Sequence, residues 1–168
     1  MSVEFTFTNE YRSSQTDEII DYLNGPRLWV PKVHYPDYFD WLGKVHVELK
    51  AEVKRAMVAL DHGQVCGVII YQEHKNQKGV LELKNLTVRP DLRGRYIASF
   101  LLRNTEIEGG DEFGADSVIC DAKASNFCIR SFLLKQGYQA LGQVDLYKLK
   151  TGDDIIYNKK LRSYILHV

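Results

Sequence analysis

A strand pattern gives way directly to a helix pattern within residues 86–102, and this junction limits the possible folds more than any other feature. Residues 86–88 end an alternating strand, Pro90 interrupts it, and the run Arg93-Gly94-Arg95 leads into a helical apolar period. The first N–H groups of a helix lack partners within the helix and carry partial positive charge. Glycine also lets a ligand approach the backbone closely. The junction therefore predicts a phosphate or pyrophosphate site, although a capped helix with solvated arginines explains the same residues.

Strand and helix patterns alternate along the rest of the chain. The predicted strands are residues 3–8, 55–60, 65–72, 80–88, 117–121, 138–150 and 153–161. The predicted helices are one that begins within residues 13–18 and ends at Gly25, one over 40–53, one over 96–108 that Gly109-Gly110 stops, and one that begins at Ser125 or Asn126 and ends at Gly137. This order predicts one parallel strand pair with a right-handed crossover inside an otherwise antiparallel sheet.

Length and charge favour an ordinary globular protein. The chain has 168 residues, so residues 1–168 are expected to form a single domain. Lys and Arg together number 22, as do Asp and Glu, and the zero net charge argues against a nucleic-acid-binding protein. No apolar run reaches the ~18 residues of a membrane span. The first residues show no secretory signal pattern, so a cytoplasmic protein without a membrane segment is expected.

The cysteines and histidines do not form a metal-binding pattern. Cys66, Cys120 and Cys128 are an odd number without a Cys-x-x-Cys pair, so they are expected to be buried, reduced thiols. His34 and His46 are not at the spacing of metal ligands, and no metal is expected.

Two blocks of the sequence resemble the GNAT superfamily of N-acetyltransferases. Leu86-Thr87-Val88-Arg89-Pro90, followed by Arg93-Gly94-Arg95-Tyr96-Ile97-Ala98, resembles the coenzyme A signature of that family. Residues 126–138, NFCIRSFLLKQGY, resemble its second block, in which Asn begins a helix ending in Phe-x-x-Lys-x-Gly-Tyr. The resemblance implies an α/β (α+β) fold with a mixed, mostly antiparallel central sheet of about seven strands, one parallel crossover and about four flanking helices.

The resemblance also implies an activity, direct transfer of acetyl from acetyl-CoA to a primary amine in a ternary complex, without a metal. The strand at residues 86–88 would pair its backbone with the pantetheine arm, and the Val88 amide would stabilise the oxyanion of the thioester. The implied coenzyme-binding residues are Leu86, Thr87, Val88, Arg93, Gly94, Arg95, Tyr96, Ile97, Ala98 and Asn126, with the amides of residues 93–98 holding the diphosphate.

Glu82 is the candidate catalytic residue. An ammonium group has no lone pair to attack with, so a base must remove a proton from the acceptor. In some GNAT enzymes a glutamate at this position of the strand is that base, directly or through water. A strand carboxylate with a surface or structural role is the alternative.

The chain departs from the family at two positions. Tyr96 replaces a residue that is usually glycine, and we expect it to take the φ angle of a helix start, which tyrosine tolerates. Leu133 replaces the tyrosine that many members use to protonate the leaving thiolate. Tyr138 or Tyr147 could supply that proton, or the thiolate could leave unassisted.

The acceptor and the partners remain open at this stage. Residues 25–45 hold Trp29, Tyr35, Tyr38, Phe39 and Trp41 and either form an aromatic wall of the acceptor site or pack on the protein's own core. A coenzyme-A-binding module that has lost catalysis and acts through a protein partner is the alternative function. The apolar tail at residues 162–168 and a homodimer also stay open.

Overall fold

The computed structural model describes residues 5–11, 13–25, 35–146 and 153–161. Its strands are β1 (Phe5–Thr8), β2 (Arg55–Asp61), β3 (Gln64–Glu73), β4 (Val80–Val88), β5 (Ser117–Lys123), β6 (Gln139–Val144) and β7 (Asp154–Lys160). Its α-helices are α1 (Ser13–Leu23), α2 (Tyr38–Lys50), α3 (Ile97–Phe113) and α4 (Phe127–Lys135), and a short 3₁₀ turn covers Pro90–Leu92.

The strands form a seven-stranded mixed sheet in the order β1-β2-β3-β4-β5-β7-β6. Antiparallel pairing joins β1 to β2, β2 to β3, β5 to β7 and β6 to β7. The pair β4–β5 is parallel, and α3 lies between these strands in the sequence. The predicted fold class is therefore confirmed, including the single parallel crossover that the order of strand and helix patterns required.

The described residues fall into two compact units, one within residues 1–72 and 85–105 and the other within 73–84 and 106–168. In the first unit, α1 and α2 pack their apolar faces against β2 and β3. This core contains Ile19, Leu23, Leu42, Val45, Leu49, Ala56, Val58, Val68 and Ile70. A Cβ on Gly67 would lie 2.8 Å from Leu101 Cδ1, so glycine is what lets α3 approach β3 closely.

The second unit is built on the β5–β7 pair. Its buried apolar side chains include Val118, Cys120, Ala122, Ile155 and Tyr157. The same pair buries an ion pair, in which Lys123 Nζ lies 2.7 Å from Asp154 Oδ1. Asp154 Oδ2 also accepts a hydrogen bond of 3.1 Å from the Leu146 amide. The carboxylate thus ties the end of β5 to the start of β7.

The predicted end of the third helix was wrong. Gly109 and Gly110 lie inside α3, which continues to Phe113 and ends before Gly114, where φ is +57°. A Cβ on Gly110 would lie 3.1 Å from Leu161 Cδ1, so the Leu161 side chain packs closely on this position. The glycine therefore serves packing rather than termination.

Helix α2 also differs from its prediction, since it begins at Tyr38 and ends at Lys50. Glu52, with φ of +56°, turns the chain toward β2. The sixth strand was predicted over residues 138–150, and β6 ends earlier, at Val144. The predictions for residues 26–34, for Tyr147, for the strand over 147–150 and for the 162–168 tail lie outside the described residues. No helix in the described part of the chain has the length and apolar character that crossing a bilayer requires.

Candidate active site

Strand β4 continues beyond the residues that pair with β5. The parallel ladder joins Val80 to Ser117, Leu81 to Val118 and Glu82 to Ile119, and it extends no further, although β4 continues to Val88. Within the described residues, the end of β4 therefore has an edge that the β5 ladder does not cover. Exposed strand edges present N–H and C=O groups to which an extended ligand can pair.

A hydrogen-bonded bend fixes the chain where β4 ends. The Arg89 amide donates to the Cys66 carbonyl over 2.8 Å. The Arg89 guanidinium donates from Nε to Asp91 Oδ1 over 2.8 Å and from Nη2 to Asp61 Oδ2 over 3.0 Å. These carboxylates, Asp91 first, raise the pKa of Arg89 above its ordinary value, so its charge is permanent. The bend therefore anchors the next turn to the β2–β3 hairpin.

A hydrogen bond to the end of β4 fixes the Arg93 side chain. Its Nε donates to the Val88 carbonyl over 3.2 Å, which closes the turn from β4 across the 3₁₀ segment. The Arg93 amide donates to the Pro90 carbonyl over 3.4 Å, so the guanidinium is the better anion ligand of this residue. Arg93 is exposed, and its Nη groups have the planar geometry that suits phosphate.

The turn after Arg93 takes up the left-handed backbone region at two residues. Gly94 has φ of +78° and Tyr96 has φ of +62°. The expectation that Tyr96 takes the φ of a helix start was therefore wrong, because α3 begins one residue later, at Ile97. This conformation explains why glycine is the usual residue at the position of Tyr96. The Tyr96 side chain is 76% exposed.

Backbone donors collect where the turn enters α3. The first α-helical hydrogen bond runs from the Phe100 amide to the Tyr96 carbonyl, over 3.0 Å. The N–H groups of Ile97 and Ala98 precede it and so have no acceptor within the helix. Gly94, Arg95 and Tyr96 are exposed at the same turn. The turn thus brings helix N–H groups without a partner in the helix together with the exposed side chains of Arg93 and Arg95.

Asn126 begins α4, as the sequence predicted. Its side-chain oxygen accepts a hydrogen bond of 3.3 Å from the Ile129 amide, which is a helix N-cap. The residue is exposed and lies in the second unit. Since Oδ1 is engaged by the cap, the side-chain amide nitrogen is the group of Asn126 that suits a ligand oxygen.

Glu82 lies in the paired part of β4. Its carboxylate forms an ion pair with Lys84, two residues along the same strand, and its side chain is 19% exposed. The pairing of residues 82 and 84 on one face agrees with the alternation of a regular strand. The carboxylate is thus half-buried beside a cation and keeps limited access to solvent.

Of the two candidate acids, Tyr138 and Tyr147, the structure describes only Tyr138. Leu133 is buried in α4, so an apolar side chain occupies the position of the family's tyrosine. The Tyr138 hydroxyl donates to Glu106 Oε1 over 2.8 Å, and Lys159 Nζ lies 2.9 Å from Glu106 Oε2. Burial, with the Glu106 charge in addition, raises the pKa of Tyr138. Tyr138 therefore serves a structural network and is a poor proton donor for a thiolate.

The cysteines were predicted correctly at two positions. Cys66 and Cys120 are buried, and burial raises the pKa of their thiols to about 11 and about 12. The expectation for Cys128 was wrong, because this residue is exposed in the first turn of α4. Among the described residues no group of His, Cys, Asp and Glu side chains could hold a metal ion.

The described part of the aromatic segment packs on the first unit. The Tyr38 hydroxyl donates to the Leu23 carbonyl over 2.8 Å, and the Tyr38 ring stacks on Trp41 at 5.6 Å between centroids. Tyr35 and Trp41 pack against the same core. Phe39 is the exposed member. For these residues the structure favours core packing over a continuous aromatic wall.

Comparison with known proteins identifies the family. The sequence matches the Acetyltransferase (GNAT) family over residues 16–138. A search of curated proteins gives no significant match.

Solved structures share the fold at low identity. A protein from Desulfovibrio desulfuricans assigned to the GNAT family of acetyltransferases superposes with a TM-score of 0.77 at 14% identity, over 94% of this chain and 99% of that one. The PaiA N-acetyltransferase of Thermoplasma acidophilum, in complex with coenzyme A, gives 0.70 at 16% identity over 94% and 99%. A Bacillus anthracis protein assigned as a streptothricin acetyltransferase, in complex with acetyl-CoA, gives 0.57 at 18% identity over 64% and 62%. The chain therefore belongs to the GNAT family and is an acyltransferase of the type that uses acetyl-CoA.

Proposed function

We propose that this protein moves the acetyl group of acetyl-CoA to a primary amine, by direct transfer in a ternary complex. The observation that carries the proposal is the turn at residues 93–98, where an exposed arginine and backbone donors converge at the start of α3. Diphosphate is the part of coenzyme A that needs such a site.

The proposed coenzyme contacts follow from the groups that the residues offer. The amides of residues 94–98 and the Arg93 guanidinium bind the diphosphate. The uncovered edge of β4 at residues 86–88 pairs with the amide groups of the pantetheine arm. The side-chain amide of Asn126 donates to a coenzyme oxygen.

The proposed chemistry removes two protons from the acceptor nitrogen, one before the attack and one after it, and releases one thiolate. The deprotonated amine attacks the thioester carbonyl carbon, and the Val88 amide stabilises the oxyanion that forms. Collapse of the tetrahedral intermediate breaks the C–S bond and gives the amide and the thiolate of coenzyme A, while the second proton of the attacking nitrogen passes to solvent. Glu82 takes the proton from the ammonium group of the acceptor, directly or through water. Leu133 cannot donate and Tyr138 is bonded to Glu106, so either Tyr147 protonates the thiolate or the thiolate leaves unassisted.

A thiol-release assay tests this proposal. The purified protein is mixed with acetyl-CoA and a panel of aliphatic amines, polyamines, free amino acids and peptides with a free N-terminus or a lysine side chain. Release of thiol that depends on an acceptor, with an acetylated product found by mass spectrometry, is the expected result. If the protein binds acetyl-CoA and no acceptor releases thiol, the protein is a coenzyme-binding module without catalysis and the proposed function is wrong. Leu133 is the residue that favours this second function.

A further inference from the structure

Tyr96 has the most exposed large hydrophobic side chain of the described residues, at 76%. It stands on the turn to which the proposed function assigns the diphosphate, and its φ of +62° lies where glycine is favoured. A tyrosine here leaves an aromatic ring in water and strains the backbone as well. Strained residues that persist at functional sites are usually part of what the site does.

Within the described part of the chain, no hydrogen bond or ring contact involves the Tyr96 side chain. Other aromatic residues of the chain have such partners: the Phe100 ring, on the first turn of α3, lies 5.7 Å from the Phe7 ring. The Tyr138 hydroxyl is bonded to Glu106. The Tyr96 ring forms neither a hydrogen bond nor a ring contact within the described ranges, so its face is open to a ligand.

The order of groups along the turn indicates which part of the coenzyme meets this ring. Val88 ends the strand that would hold the pantetheine arm, and residues 94–98 would hold the diphosphate. The adenosine end of coenzyme A extends from the diphosphate away from the pantetheine. Tyr96 lies inside the run that would hold the diphosphate, directly before α3, and its exposed ring is the aromatic group next to the place where the adenosine leaves the diphosphate. Arg95, exposed beside it, adds positive charge for the phosphate on the ribose.

We propose that Tyr96 binds the adenine of the coenzyme by stacking, and that it sets the preference for the complete coenzyme over a shortened thioester. The inference rests on the proposed function, since it places the same diphosphate at the same turn. A purine is a flat π-system, and aromatic side chains stack on such faces without regard to hydrogen-bonding pattern. Replacing Tyr96 with the usual glycine should therefore weaken coenzyme binding.

Calorimetry with two ligands tests the proposal. Acetyl-CoA and acetyl-4′-phosphopantetheine, which lacks the adenosine part, are titrated into the wild type, Tyr96→Phe, Tyr96→Gly and Tyr96→Asn. Phe keeps the ring and removes the hydroxyl, while Gly and Asn tolerate positive φ and remove the ring. We expect Gly and Asn to weaken acetyl-CoA binding by at least about fivefold, Phe to match the wild type, and the shortened thioester to bind all four proteins equally.

Each other outcome is decisive. Unchanged or tighter binding of acetyl-CoA to Tyr96→Gly and Tyr96→Asn overturns the stacking role and leaves the proposed function intact. An equal loss for both ligands shows that the ring supports the turn rather than the adenine, and also overturns it. A loss in Tyr96→Phe assigns the effect to the hydroxyl instead. Absence of acetyl-CoA binding to the wild type contradicts the proposed function itself.

Discussion

Gly94 and Tyr96 share the left-handed region of φ, but only glycine adopts it without steric cost. Both lie in one short turn, so the chain accepts strain at the place where the diphosphate is proposed to bind. The sequence could place these residues in a turn, because Pro90 and Gly94 break the strand pattern. It could not give the sign of φ at Tyr96, since that depends on whether α3 begins at residue 96 or 97.

Restoring glycine at residue 96 should stabilise the protein. Relief of the left-handed strain outweighs the added backbone entropy of glycine, and the exposed ring contributes little burial, so Tyr96→Gly should gain about 1 kcal/mol of unfolding free energy. That gain corresponds to a rise in Tm of about 2–4 °C for a chain of this size. Thermal unfolding without ligand is the measurement, with Tyr96→Ala as the control that keeps the strain. A lower Tm for the glycine variant than for the alanine variant would show that the tyrosine conformation is not strained.

Kinetic measurements on a Glu82 variant distinguish a catalytic base from a strand carboxylate with a structural role. Glu82→Gln keeps the shape and removes the basic oxygen, so kcat should fall by about 100-fold or more while acetyl-CoA affinity stays the same. The same substitution at Glu108, exposed on α3, is the matched control and should leave kcat unchanged. A wild-type rate for Glu82→Gln at every pH tested would remove Glu82 from the mechanism.

At the scale of elements, β4 was predicted with its correct bounds and α3 was not. Alternating apolar residues and flanking glycine and proline mark β4 clearly. The α3 pattern contains Gly109-Gly110, which predicts a helix end, yet both residues lie inside α3 and Leu161 packs on Gly110. Such a contact joins residues far apart in the sequence and leaves no local signal. The same is true of the early end of the β4–β5 ladder.

The Lys123–Asp154 pair holds β5 and β7 together, and its loss should be costly. Both side chains are buried, at 4% and 0% exposure. Removing the carboxylate of Asp154 takes a charged partner at 2.7 Å from a buried ammonium group, so Asp154→Ala should lose about 3–5 kcal/mol of unfolding free energy. Denaturant unfolding measures this, with the neighbouring Asp153→Ala as a control of equal charge change. Equal stability of the two variants would show that the buried pair contributes no more than the partly exposed Asp153 carboxylate.

At the scale of the whole molecule, the order of strand and helix patterns predicted the sheet. The order strand–helix–strand–helix–strand after residue 80 predicts one parallel pair, which the structure has between β4 and β5, and right-handed crossovers leave few arrangements for the remaining strands. The order of patterns does not predict the acceptor site, because that site depends on side chains from several elements. The described aromatic residues Tyr38 and Trp41 turned out to serve the core.

Binding of acetyl-CoA is the property on which the account depends. Coenzyme that binds only the folded protein must be held by groups that the fold brings together, and the turn at residues 93–98 is the proposed place. Substitution of Arg93 tests that turn most directly, because the Arg93 guanidinium is exposed and its Nε donates to the Val88 carbonyl.

Isothermal titration of acetyl-CoA into the wild type and Arg93→Glu tests this claim most directly. Lys44→Glu, an exposed substitution of equal charge change on α2, is the control. The wild type and the control should bind acetyl-CoA equally, and Arg93→Glu should bind at least about tenfold more weakly, because a carboxylate replaces a charged phosphate ligand. Equal affinity of Arg93→Glu and the wild type would contradict the assignment of the diphosphate to this turn.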